Sequence, residues 1–409
     1  MKIAYLIPEF PGQTHIWMWR EIVHLRKWGV AIQLISTCRP SPYERARHAF
    51  ADESASAVEY IYDKRHKITA WRMMLFDVFW AAFTRPLRFI SALTCSLRLA
   101  CKKPATALQL IGLIAPSCRL ARLLVQGGSQ HLHVHSFGRS SLMAILAKHL
   151  TGIPFSQTLN AYIQIWGGFA AEKLREAQIT VAITHELIEQ IRQEVPDLPS
   201  EKYILGRIGV DTPNWRADNW RPPTSGQPFR IITVGRLHPV KGHDDLIRAV
   251  ARLHNQGMNV VLSILGDGPQ RDDLQQLANQ LGVADRVCFF GSVSEMEIKQ
   301  QMATSHCFVG ASHCEPLGVV FMEAMAAGLP TIGTAAGGLR EIIDHEQTGL
   351  LVPPKNVPAL ESAIRKLIDD QALCRSLSLN GRRKICDEFD SELGAKTLMN
   401  KLSETIPSS

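Results

Sequence analysis

Short apolar runs rich in β-branched residues alternate with longer helical patterns along almost the whole chain. This alternation is expected of a parallel β-sheet covered by helices on both faces, because each strand then buries both of its sides. We therefore predict an α/β fold. Its predicted strands are Lys2–Ile7, Val30–Ser36, His131–His135, Phe155–Leu159, Ile179–Ile183, Tyr203–Arg207, Arg230–Val234, Asn259–Leu265, Val287–Phe290, Cys307–Gly310, Pro330–Gly333 and Gly349–Val352.

The pattern restarts near Arg230, so the chain is expected to form two domains. A length of 409 residues also exceeds what one hydrophobic core usually supports. We predict doubly wound, Rossmann-like domains at residues 1–211 and 230–389, and a helix within residues 390–409. Residues 212–229 are rich in Pro, Asn, Asp and Gly and are predicted to be the linker. With the two domains facing each other across a cleft, ligands are expected where the carboxyl ends of both sheets meet.

Composition limits the classes of protein to which the chain can belong. Apolar residues make up 46% and charged residues 20%, which is ordinary for a soluble globular protein. The nine cysteines contain no CxxC pair, which argues against a disulfide framework or a zinc site and fits a reducing cytoplasm. The N-terminal apolar run ends at Pro8, too short for a signal peptide or a membrane span, and is predicted to be a buried strand.

The positive charge of the chain is concentrated in residues 64–130. This stretch contains 11 Lys and Arg residues and a single acid, Asp77, whereas the whole chain has a net charge of +7. Aromatic and aliphatic residues are interleaved with Arg72, Arg85 and Arg88, which predicts basic amphipathic helices. Such helices can lie on an anionic membrane, or their apolar faces can pack into the domain while the arginines are solvated; the pattern favours neither. No nucleic-acid-binding module accompanies the stretch, so we expect no nucleic-acid partner.

One segment of the second domain contains two glutamates, Glu315 and Glu323, beside a short loop that leads into a helix. Backbone N–H groups near Leu317, Gly318 and Val319 are expected to converge on one anion, as at other helix N-termini. Ionised glutamates accept hydrogen bonds from hydroxyl groups, so the expected ligand has both phosphates and sugar hydroxyls. A nucleotide sugar meets this description.

A second candidate for phosphate binding is the loop 235–242, which follows the first strand of the second domain. It contains Arg236 and Lys241 at the carboxyl end of that strand. Two cations there can bind a diphosphate and offset the charge that develops on a leaving nucleoside diphosphate. The alternative interpretation is a surface loop with two solvated cations.

These motifs resemble those of the family-4 retaining glycosyltransferases. The resemblance rests on two glutamates separated by seven residues, then EAMAxGxP and a Gly-Gly turn, within residues 312–354, and on a GRLxxxKG match at residues 235–242. It covers nearly all of residues 230–389 and is weaker in the first half of the chain. It implies the GT-B fold, in which two Rossmann-like domains face each other and the C-terminal helix crosses back to the first domain.

The resemblance also implies roles for single residues of the second domain. Glu323 would bind the ribose hydroxyls, and Glu315 would face the transferred sugar. Backbone groups of the loop that contains Gly291 and Val293 would hold the base, which leaves uracil and guanine as alternatives.

In the first domain the candidate residues follow strands. Gly12 and Gln13 come after the first strand, where Gly12 would let the backbone approach the diphosphate or the acceptor. His135 matches the second histidine of the family's HxHF motif and would lie beside the reactive sugar; the alternative is an ordinary histidine on a strand face. Asn160 and Gln164 stand where relatives commonly have His and Asp, so sugar or acceptor contacts would differ there.

The sequence therefore predicts a retaining glycosyltransferase that moves a hexose from a UDP- or GDP-sugar to a hydroxyl acceptor. The basic stretch suggests a lipid-linked saccharide acceptor, as in exopolysaccharide, capsule or lipopolysaccharide biosynthesis. It also suggests a cytoplasmic enzyme that is peripheral on the inner face of the plasma membrane. No DxD sequence occurs, so neither a metal nor another cofactor is predicted. Two alternatives are a nucleotide-sugar epimerase of similar fold and a catalytically idle partner that binds nucleotide sugar.

Overall fold

The structure is a computed structural model that describes residues 1–12, 15–41, 50–62, 67–215 and 220–405. The chain divides into two compact units. Unit 1 consists of Met1–Arg207 together with Ala395–Ser409, and unit 2 consists of Ile208–Gly394.

Unit 1 is built on one parallel sheet. Its strands are β1 (Lys2–Ile7), β2 (Ala31–Cys38), β3 (Val58–Tyr62), β4 (His131–Val134), β5 (Phe155–Leu159), β6 (Ile179–Ala182) and β7 (Tyr203–Leu205). They lie in the order β3-β2-β1-β4-β5-β6-β7, and every neighbouring pair is parallel. Strand order therefore runs outward from β1 in both directions, as in a doubly wound sheet.

Strand β1 shows why a continuous apolar run suits this position. Ile3, Tyr5 and Ile7 belong to the core on one face of the sheet, and Ala4 and Leu6 belong to the core on the other. All five side chains are fully buried. Because successive side chains of a strand point to opposite faces, a strand covered on both sides has no polar positions.

Helices cover both faces of this sheet. They are α1 (Ile16–Lys27), α2 (Phe50–Ala55), α3 (Lys67–Thr84), α4 (Pro86–Lys102), α5 (Ala107–Gly112), α6 (Ile114–Gly127), α7 (Arg139–Thr151), α8 (Ala170–Glu176) and α9 (His185–Glu194). Four of them, α3 to α6, stand between β3 and β4. Helix α6 packs against α7 and contributes Leu120 and Leu124 to the core beneath the sheet, whereas α3 packs on the outer side of α6.

Unit 2 repeats the architecture with six parallel strands. These are β8 (Phe229–Val234), β9 (Val260–Leu265), β10 (Val287–Gly291), β11 (Cys307–Gly310), β12 (Thr331–Thr334) and β13 (Leu350–Val352), in the order β10-β9-β8-β11-β12-β13. Its helices are α10 (His243–Asn255), α11 (Arg271–Gln280), α12 (Glu295–Ala303), α13 (Val319–Ala326), α14 (Leu339–Ile342), α15 (Val357–Asp369) and α16 (Gln371–Glu388). The predicted fold class, α/β with two Rossmann-like parallel-sheet domains, is confirmed.

Every predicted strand is present, with its ends within two residues of the predicted ones. Strand β3 was not predicted. Its sequence, VEYIY, has a glutamate and two tyrosines in five residues and therefore no apolar run. It lies at the edge of the sheet and is paired on one side only, by β2, so its positions need not be apolar.

Two segments near the predicted domain boundaries have defined packing. Of the predicted linker, residues 212–215 and 220–229 belong to unit 2, where Trp215 is buried and the indole N–H of Trp220 donates to the carbonyl of His306 at 2.7 Å. The last helix, α17 (Ser391–Thr405), begins in unit 2 and ends in unit 1. Its residues Leu398 and Leu402 lie in a core of unit 1.

Within the described ranges, no single helix is long and apolar enough to cross a membrane. The segments Pro104–Gly112 and Ile114–Gly127 reach the required length and composition only as a pair, and they are bent by 41° relative to each other.

Candidate active site

The predicted residues of unit 2 lie in loops at one edge of its sheet. In a parallel sheet the carboxyl ends of all strands meet at the same edge, and doubly wound folds bind their ligands there. After β8 come Arg236 and Lys241, after β10 come Gly291 and Val293, and after β11 come Glu315, Leu317 and Gly318, followed by Val319 and Glu323 in α13.

Gly242 sets the packing between the loops that follow β8 and β11. Its φ of 63° is left-handed, and a Cβ at this position would overlap the carbonyl oxygen of Ala311. The N–H of His313 donates to the carbonyl of Val240 at 2.7 Å and joins the same two loops. Glycine alone allows this conformation and this close approach without strain.

The packed loops bring Lys241 and Glu315 together. The Lys241 Nζ lies 2.5 Å from Oε2 of Glu315, and the hydroxyl of Ser312 donates to the same oxygen at 3.3 Å. Glu315 is only 7% exposed, so the pair is shielded from water on most sides and its hydrogen bond is charge-assisted. A predicted diphosphate-binding cation and a predicted sugar-facing carboxylate are therefore neighbours.

Helix α13 begins at a glycine, which has no side chain that could cap it. Gly318 has a left-handed φ of 87°, no side chain caps the helix, and its first turn contains no acid. The N-terminal N–H groups and the helix dipole favour an anion at such an end. Glu323, in the second turn, is 9% exposed, and the side chain of Leu317 is buried.

A Gly-Gly turn after β12 supports the glutamate loop. The N–H of Gly338 donates to the carbonyl of Glu315 at 3.1 Å, and a Cβ at Gly338 would overlap the carbonyl oxygen of Pro316. Gly337 has a left-handed φ of 55°. This turn thus supports the loop that contains Glu315.

The loops after β8, β9 and β10 meet at three glycines. The N–H of Gly266 donates to the carbonyl of Gly291 at 2.8 Å, and a Cβ at Gly266 would overlap the carbonyl oxygen of Gly235. Val293 follows Gly291 and is half-buried. Close backbone contacts therefore join the three loops at this edge of the sheet.

Arg236 occupies an exposed position in the loop after β8. Its side chain has no ion-pair partner in the part of the chain that the structure describes, whereas its carbonyl accepts a hydrogen bond from Nε2 of His243 at 3.2 Å. Burial lowers the pKa of His243 to about 4, so the neutral ring serves as a fixed donor to this loop. The backbone of Arg236 is held while its guanidinium stays available.

In unit 1, His135 comes directly after β4 and is buried. Its Nε2 lies 3.0 Å from Oε1 of Glu21, and the same oxygen accepts a hydrogen bond from the hydroxyl of Tyr5 at 2.9 Å. Burial and the Glu21 carboxylate raise the pKa of Tyr5 well above its ordinary value, so the phenol remains a donor. Nδ1 of His135 is buried and has no hydrogen-bond partner among the described residues.

The neighbouring histidines of β4 have structural partners. The His131 ring bonds with the hydroxyl of Ser156 at 2.8 Å, and the His133 ring bonds with the hydroxyls of Ser156 and Thr158 at 2.7 and 3.0 Å. Burial lowers the pKa of His131 to about 4 and that of His133 well below its ordinary value. Both are neutral core histidines.

Gly12 follows β1 and is held by His15. The N–H of Gly12 donates to Nδ1 of His15 at 2.9 Å, and the N–H of His15 donates to the Gly12 carbonyl at 3.1 Å. Burial, then the neighbouring His135, lower the pKa of His15 to about 4, so its Nδ1 remains an acceptor. The predicted residue Gln13 lies outside the described residues.

Asn160 comes directly after β5, so it lies at the same sheet edge as His135. Its Oδ1 is buried and has no hydrogen-bond partner within the described chain. Buried carbonyl oxygens are normally paired, and an unpaired one at a strand end suits a ligand donor. Gln164 is exposed on a 3₁₀ turn a few residues later.

A cavity of about 180 Å³ opens in unit 1 between α5 and the segments that follow β4 and β5. Its walls include Gln109, Arg139, Trp166 and Lys173. The Lys173 Nζ donates to the carbonyl of Phe137 at 2.8 Å, and burial lowers its pKa to about 8. The cavity thus combines an aromatic wall with basic groups.

Among the described residues, two groups of three side chains are each close enough to hold one cation. Glu21, His133 and His135 form one group, and Asp244, Asp245 and His313 form the other; within each, the ligand atoms lie within 4.8 Å of one another. In the first group both ring nitrogens of His133 already bond with hydroxyls. In the second, Nε2 of His313 lies 2.8 Å from Asp245.

Sequence reasoning did not identify Glu21 or Asp245 as site residues. Glu21 lies in α1 and reaches His135 only through the fold, so no local motif marks it. Asp245 pairs with His313, which lies two residues before Glu315. The position of His313 beside the glutamate motif was the one sequence signal that pointed to this pair.

Comparison with known proteins finds a family match within the second unit. Residues 216–384 match the family described as glycosyl transferases group 1. The chain is 34% identical over 184 residues to a glycogen synthase of Mycobacterium tuberculosis, covering 45% of this chain and 44% of that protein. It is 33% identical over 211 residues to the GDP-mannose-dependent alpha-(1-6)-phosphatidylinositol monomannoside mannosyltransferase of the same species, covering 48% and 54%. The matched region thus spans about half the length of these curated relatives.

The fold of the whole chain is shared with solved structures. Anabaena HepE, crystallised in complex with UDP, superposes with a TM-score of 0.71 at 18% sequence identity and covers 99% of this chain and 100% of its own. This likeness shows the fold of the whole chain, whereas the match to the family is confined to residues 216–384. The chain therefore has a fold of the GT-B type, and residues 216–384 of its second unit are similar to the group 1 glycosyl transferases.

Proposed function

We propose that the protein is a retaining glycosyltransferase that moves a hexose from a UDP- or GDP-sugar to a hydroxyl acceptor. The observation that supports this most strongly is the Lys241–Glu315 pair, which adjoins the uncapped N-terminus of α13. A cation, a carboxylate and a helix N-terminus in one place match the diphosphate and hydroxyl groups of a nucleotide sugar.

In the proposed reaction the bond between the sugar's anomeric carbon and the β-phosphate oxygen breaks, and a bond to the acceptor oxygen forms. The nucleoside diphosphate leaves with added negative charge, and the proton of the acceptor hydroxyl passes to one of its phosphate oxygens. Lys241 and Arg236 would offset that charge, which lowers the barrier most when the donors are already in position. Glu323 would bind the ribose hydroxyls, and Glu315 would orient Lys241 and the sugar. The retaining outcome rests on the resemblance to family-4 enzymes.

The residues of unit 1 are assigned to the sugar and the acceptor. Among the residues that the structure describes, neither the buried Nδ1 of His135 nor the buried Oδ1 of Asn160 has a hydrogen-bond partner. Both groups would be satisfied by ligand hydroxyls. The cavity beside Arg139 and Trp166 is assigned to the acceptor, because an aromatic wall stacks on sugar rings and the basic side chains suit a phosphate.

We propose a lipid-linked saccharide as the acceptor, and polysaccharide biosynthesis at the cytoplasmic face of the membrane as the process. The mannosyltransferase relative is named for a phosphatidylinositol monomannoside, which is a lipid acceptor. The basic stretch 64–130 gives independent support, since anionic lipids attract it.

We further propose that the reaction needs no metal ion. The support is the pair Arg236 and Lys241, whose positive charges can take the place of a divalent cation at the diphosphate. Transfer rates in excess EDTA and in added magnesium should agree within a factor of two. A strict requirement for a divalent ion would refute this part of the proposal.

The test is a donor screen with single UDP- and GDP-sugars, measuring nucleoside diphosphate release, with Glu323→Gln as the site variant. Glu346→Gln is the matched control, because Glu346 is an exposed glutamate of the same unit that pairs with Lys366. We expect one donor to be used, Glu323→Gln to lower release at least tenfold, and Glu346→Gln to change it less than twofold. Conversion of the donor without diphosphate release would indicate an epimerase, and binding of a donor without release, even with lipid-linked acceptors, would indicate an idle partner.

A further inference from the structure

Helices α3, α4 and α5 expose an unusual number of large apolar side chains. Of the eighteen large apolar residues exposed in the described chain, eleven fall between positions 71 and 111. We call these eleven the α3–α5 surface: Trp71, Met73, Leu75, Phe76, Phe79, Phe83, Leu87, Ile90, Leu97, Leu108 and Ile111. Four are aromatic rings, each able to bury roughly 150–250 Å². Monomeric soluble proteins rarely expose contiguous apolar patches larger than a few hundred Å².

Helix α3 is apolar on both of its sides. Its inner side packs on α6 through Ala81, which lies in a small core with Cys118 and Ala121. The outer side carries Trp71, Leu75, Phe79 and Phe83 at intervals of four residues, which places them on one face of the helix. The rings of Phe79 and Phe83 stack with centroids 6.3 Å apart. A helix that is apolar all round normally has both sides covered.

The inner side also removes the one acid of this region from the surface. Asp77 is fully buried and pairs with Arg122 at 2.8 Å and with Arg119 at 3.6 Å. Residues 67–130 therefore contain nine Lys and Arg residues and no exposed carboxylate. On the outer side of α3, Arg72 is exposed among the apolar residues.

Helix α4 continues the surface with the same chemistry. Its inner side is anchored by Ala92, in the same small core, while Leu87 and Leu97 are 82% and 56% exposed. Exposed Arg88 and Arg98 adjoin these leucines along the helix. The next helix, α5, exposes Leu108 and Ile111 on one side and forms a wall of the unit 1 cavity with Leu110 on the other.

Charge decides what kind of partner can cover the α3–α5 surface. A second copy of the chain in a two-fold dimer would pair this surface with itself and bring like charges together. A soluble ligand or an acidic peptide would match the charge but not the extent of exposed apolar area. An anionic lipid bilayer matches both, because it offers acidic headgroups to arginines and acyl chains to aromatic and aliphatic side chains.

We propose that the α3–α5 surface binds an anionic lipid bilayer, with the Trp71–Phe83 face of α3 inserted at the boundary of headgroups and acyl chains. Arg72, Arg88 and Arg98 then lie at the level of the lipid phosphates. This binding needs neither a donor sugar nor an acceptor, so it stands apart from the transfer reaction.

The experiment is flotation of the full-length protein with vesicles of phosphatidylcholine alone or mixed with phosphatidylglycerol. We expect the protein to float with the mixed vesicles and to float much less with phosphatidylcholine alone. Phe79→Ser/Phe83→Ser and, separately, Arg72→Glu should each weaken the apparent partition coefficient at least about tenfold. The matched controls are Met296→Ser/Leu379→Ser and Arg383→Glu, which change exposed residues of unit 2 and should have less than a twofold effect.

Thermal unfolding and nucleotide binding of each variant show whether it is folded, independently of lipid. Folded variants that float like the unaltered protein would overturn the proposal, as would equal flotation with both kinds of vesicle. A concentration-dependent dimer that Phe79→Ser/Phe83→Ser abolishes, without any vesicle binding by the unaltered protein, would overturn it in favour of a second copy.

Discussion

The ammonium group of Lys241 lies 2.5 Å from the carboxylate of Glu315, although 73 residues separate them in sequence. The contact joins two loops that follow adjacent strands of the unit 2 sheet, β8 and β11. Because Glu315 is buried, the pair fixes the position of the cation before any donor binds. Catalysis by charge stabilisation depends on such preorganisation, and this contact therefore predicts where activity is most sensitive to substitution.

Replacing Lys241 by alanine should lower kcat/KM for transfer by about 10²-fold or more, since a preorganised donor to the leaving group is lost. Lys241→Arg should retain part of the activity, because the charge remains but the geometry differs. Initial rates with the preferred donor would measure both effects. Lys366→Ala is the matched control, as Lys366 is a surface lysine of unit 2 paired with Glu346. Equal losses from Lys241→Ala and Lys366→Ala would contradict a specific role for Lys241.

Replacing Gly242 by alanine should destabilise unit 2 by about 2–4 kcal/mol, from the left-handed φ and the overlap with the Ala311 carbonyl together. Gly257→Ala tests the first cause alone, because Gly257 has a φ of 81° with nothing within 4 Å of the added Cβ. It should cost only about 1 kcal/mol. Thermal unfolding of the two variants compares them directly. If the two midpoints fell by the same amount, the close packing of the loops after β8 and β11 would be in doubt.

The free energy of unfolding should depend on His243 at acidic pH. The folded-state pKa is about 4 because of burial, and the unfolded-state pKa is about 6.5, so the unfolded state binds more protons between these values. Stability from this residue is complete above about pH 6.5 and is lost as the pH falls toward 4. The variant His243→Gln keeps a donor to the Arg236 carbonyl but lacks the titrating ring. Its free energy of unfolding should therefore fall by about 2 kcal/mol less between pH 7 and pH 5 than that of the unaltered protein.

Urea unfolding at the two pH values measures this difference. The half-exposed His254 of the same helix provides the control, and His254→Gln should leave the loss unchanged. An unaltered pH dependence in His243→Gln would mean that this ring titrates freely in the folded protein.

Asn160→Ala should impair activity without lowering the stability of the fold. The Oδ1 of Asn160 is buried without a partner among the described residues, and an unpaired carbonyl costs about 1–3 kcal/mol. Removing it should leave the unfolding midpoint unchanged or raise it, while the KM for the acceptor rises about tenfold. Gln193→Ala, at an exposed amide of α9, should change neither quantity. A lowered midpoint with normal acceptor kinetics would assign Asn160 to the fold instead.

The features of the fold that local sequence determines were predictable. The buried part of strand Lys2–Ile7, from Ile3 to Ile7, is a continuous hydrophobic run, and loops such as 235–242 need glycine where backbones meet. The five-residue edge strand Val58–Tyr62 was missed because an edge position does not require an apolar run. Contacts between distant segments were not predictable either, including the 3.0 Å approach of Glu21 to His135.

The apolar pattern of helix α3 does not predict which of its sides is buried. The sequence left open whether its apolar residues pack into the domain or face a membrane. The structure buries one side of the helix and exposes the other, since Ala81 is buried and Phe83 is 80% exposed. A helix that is apolar all round has no periodicity that separates the two sides, so only the packing against α6 distinguishes them.

The last helix determines the order in which the chain can complete its fold. Leu398 and Leu402 are buried in a core of unit 1 that also contains Ile3, Ile22 and Val181. A ribosome makes these two leucines only after all of unit 2, so the N-terminal unit leaves part of its core open during synthesis while the unit made second can already close. Unit 1 is therefore expected to finish folding after unit 2, although most of it is synthesised first.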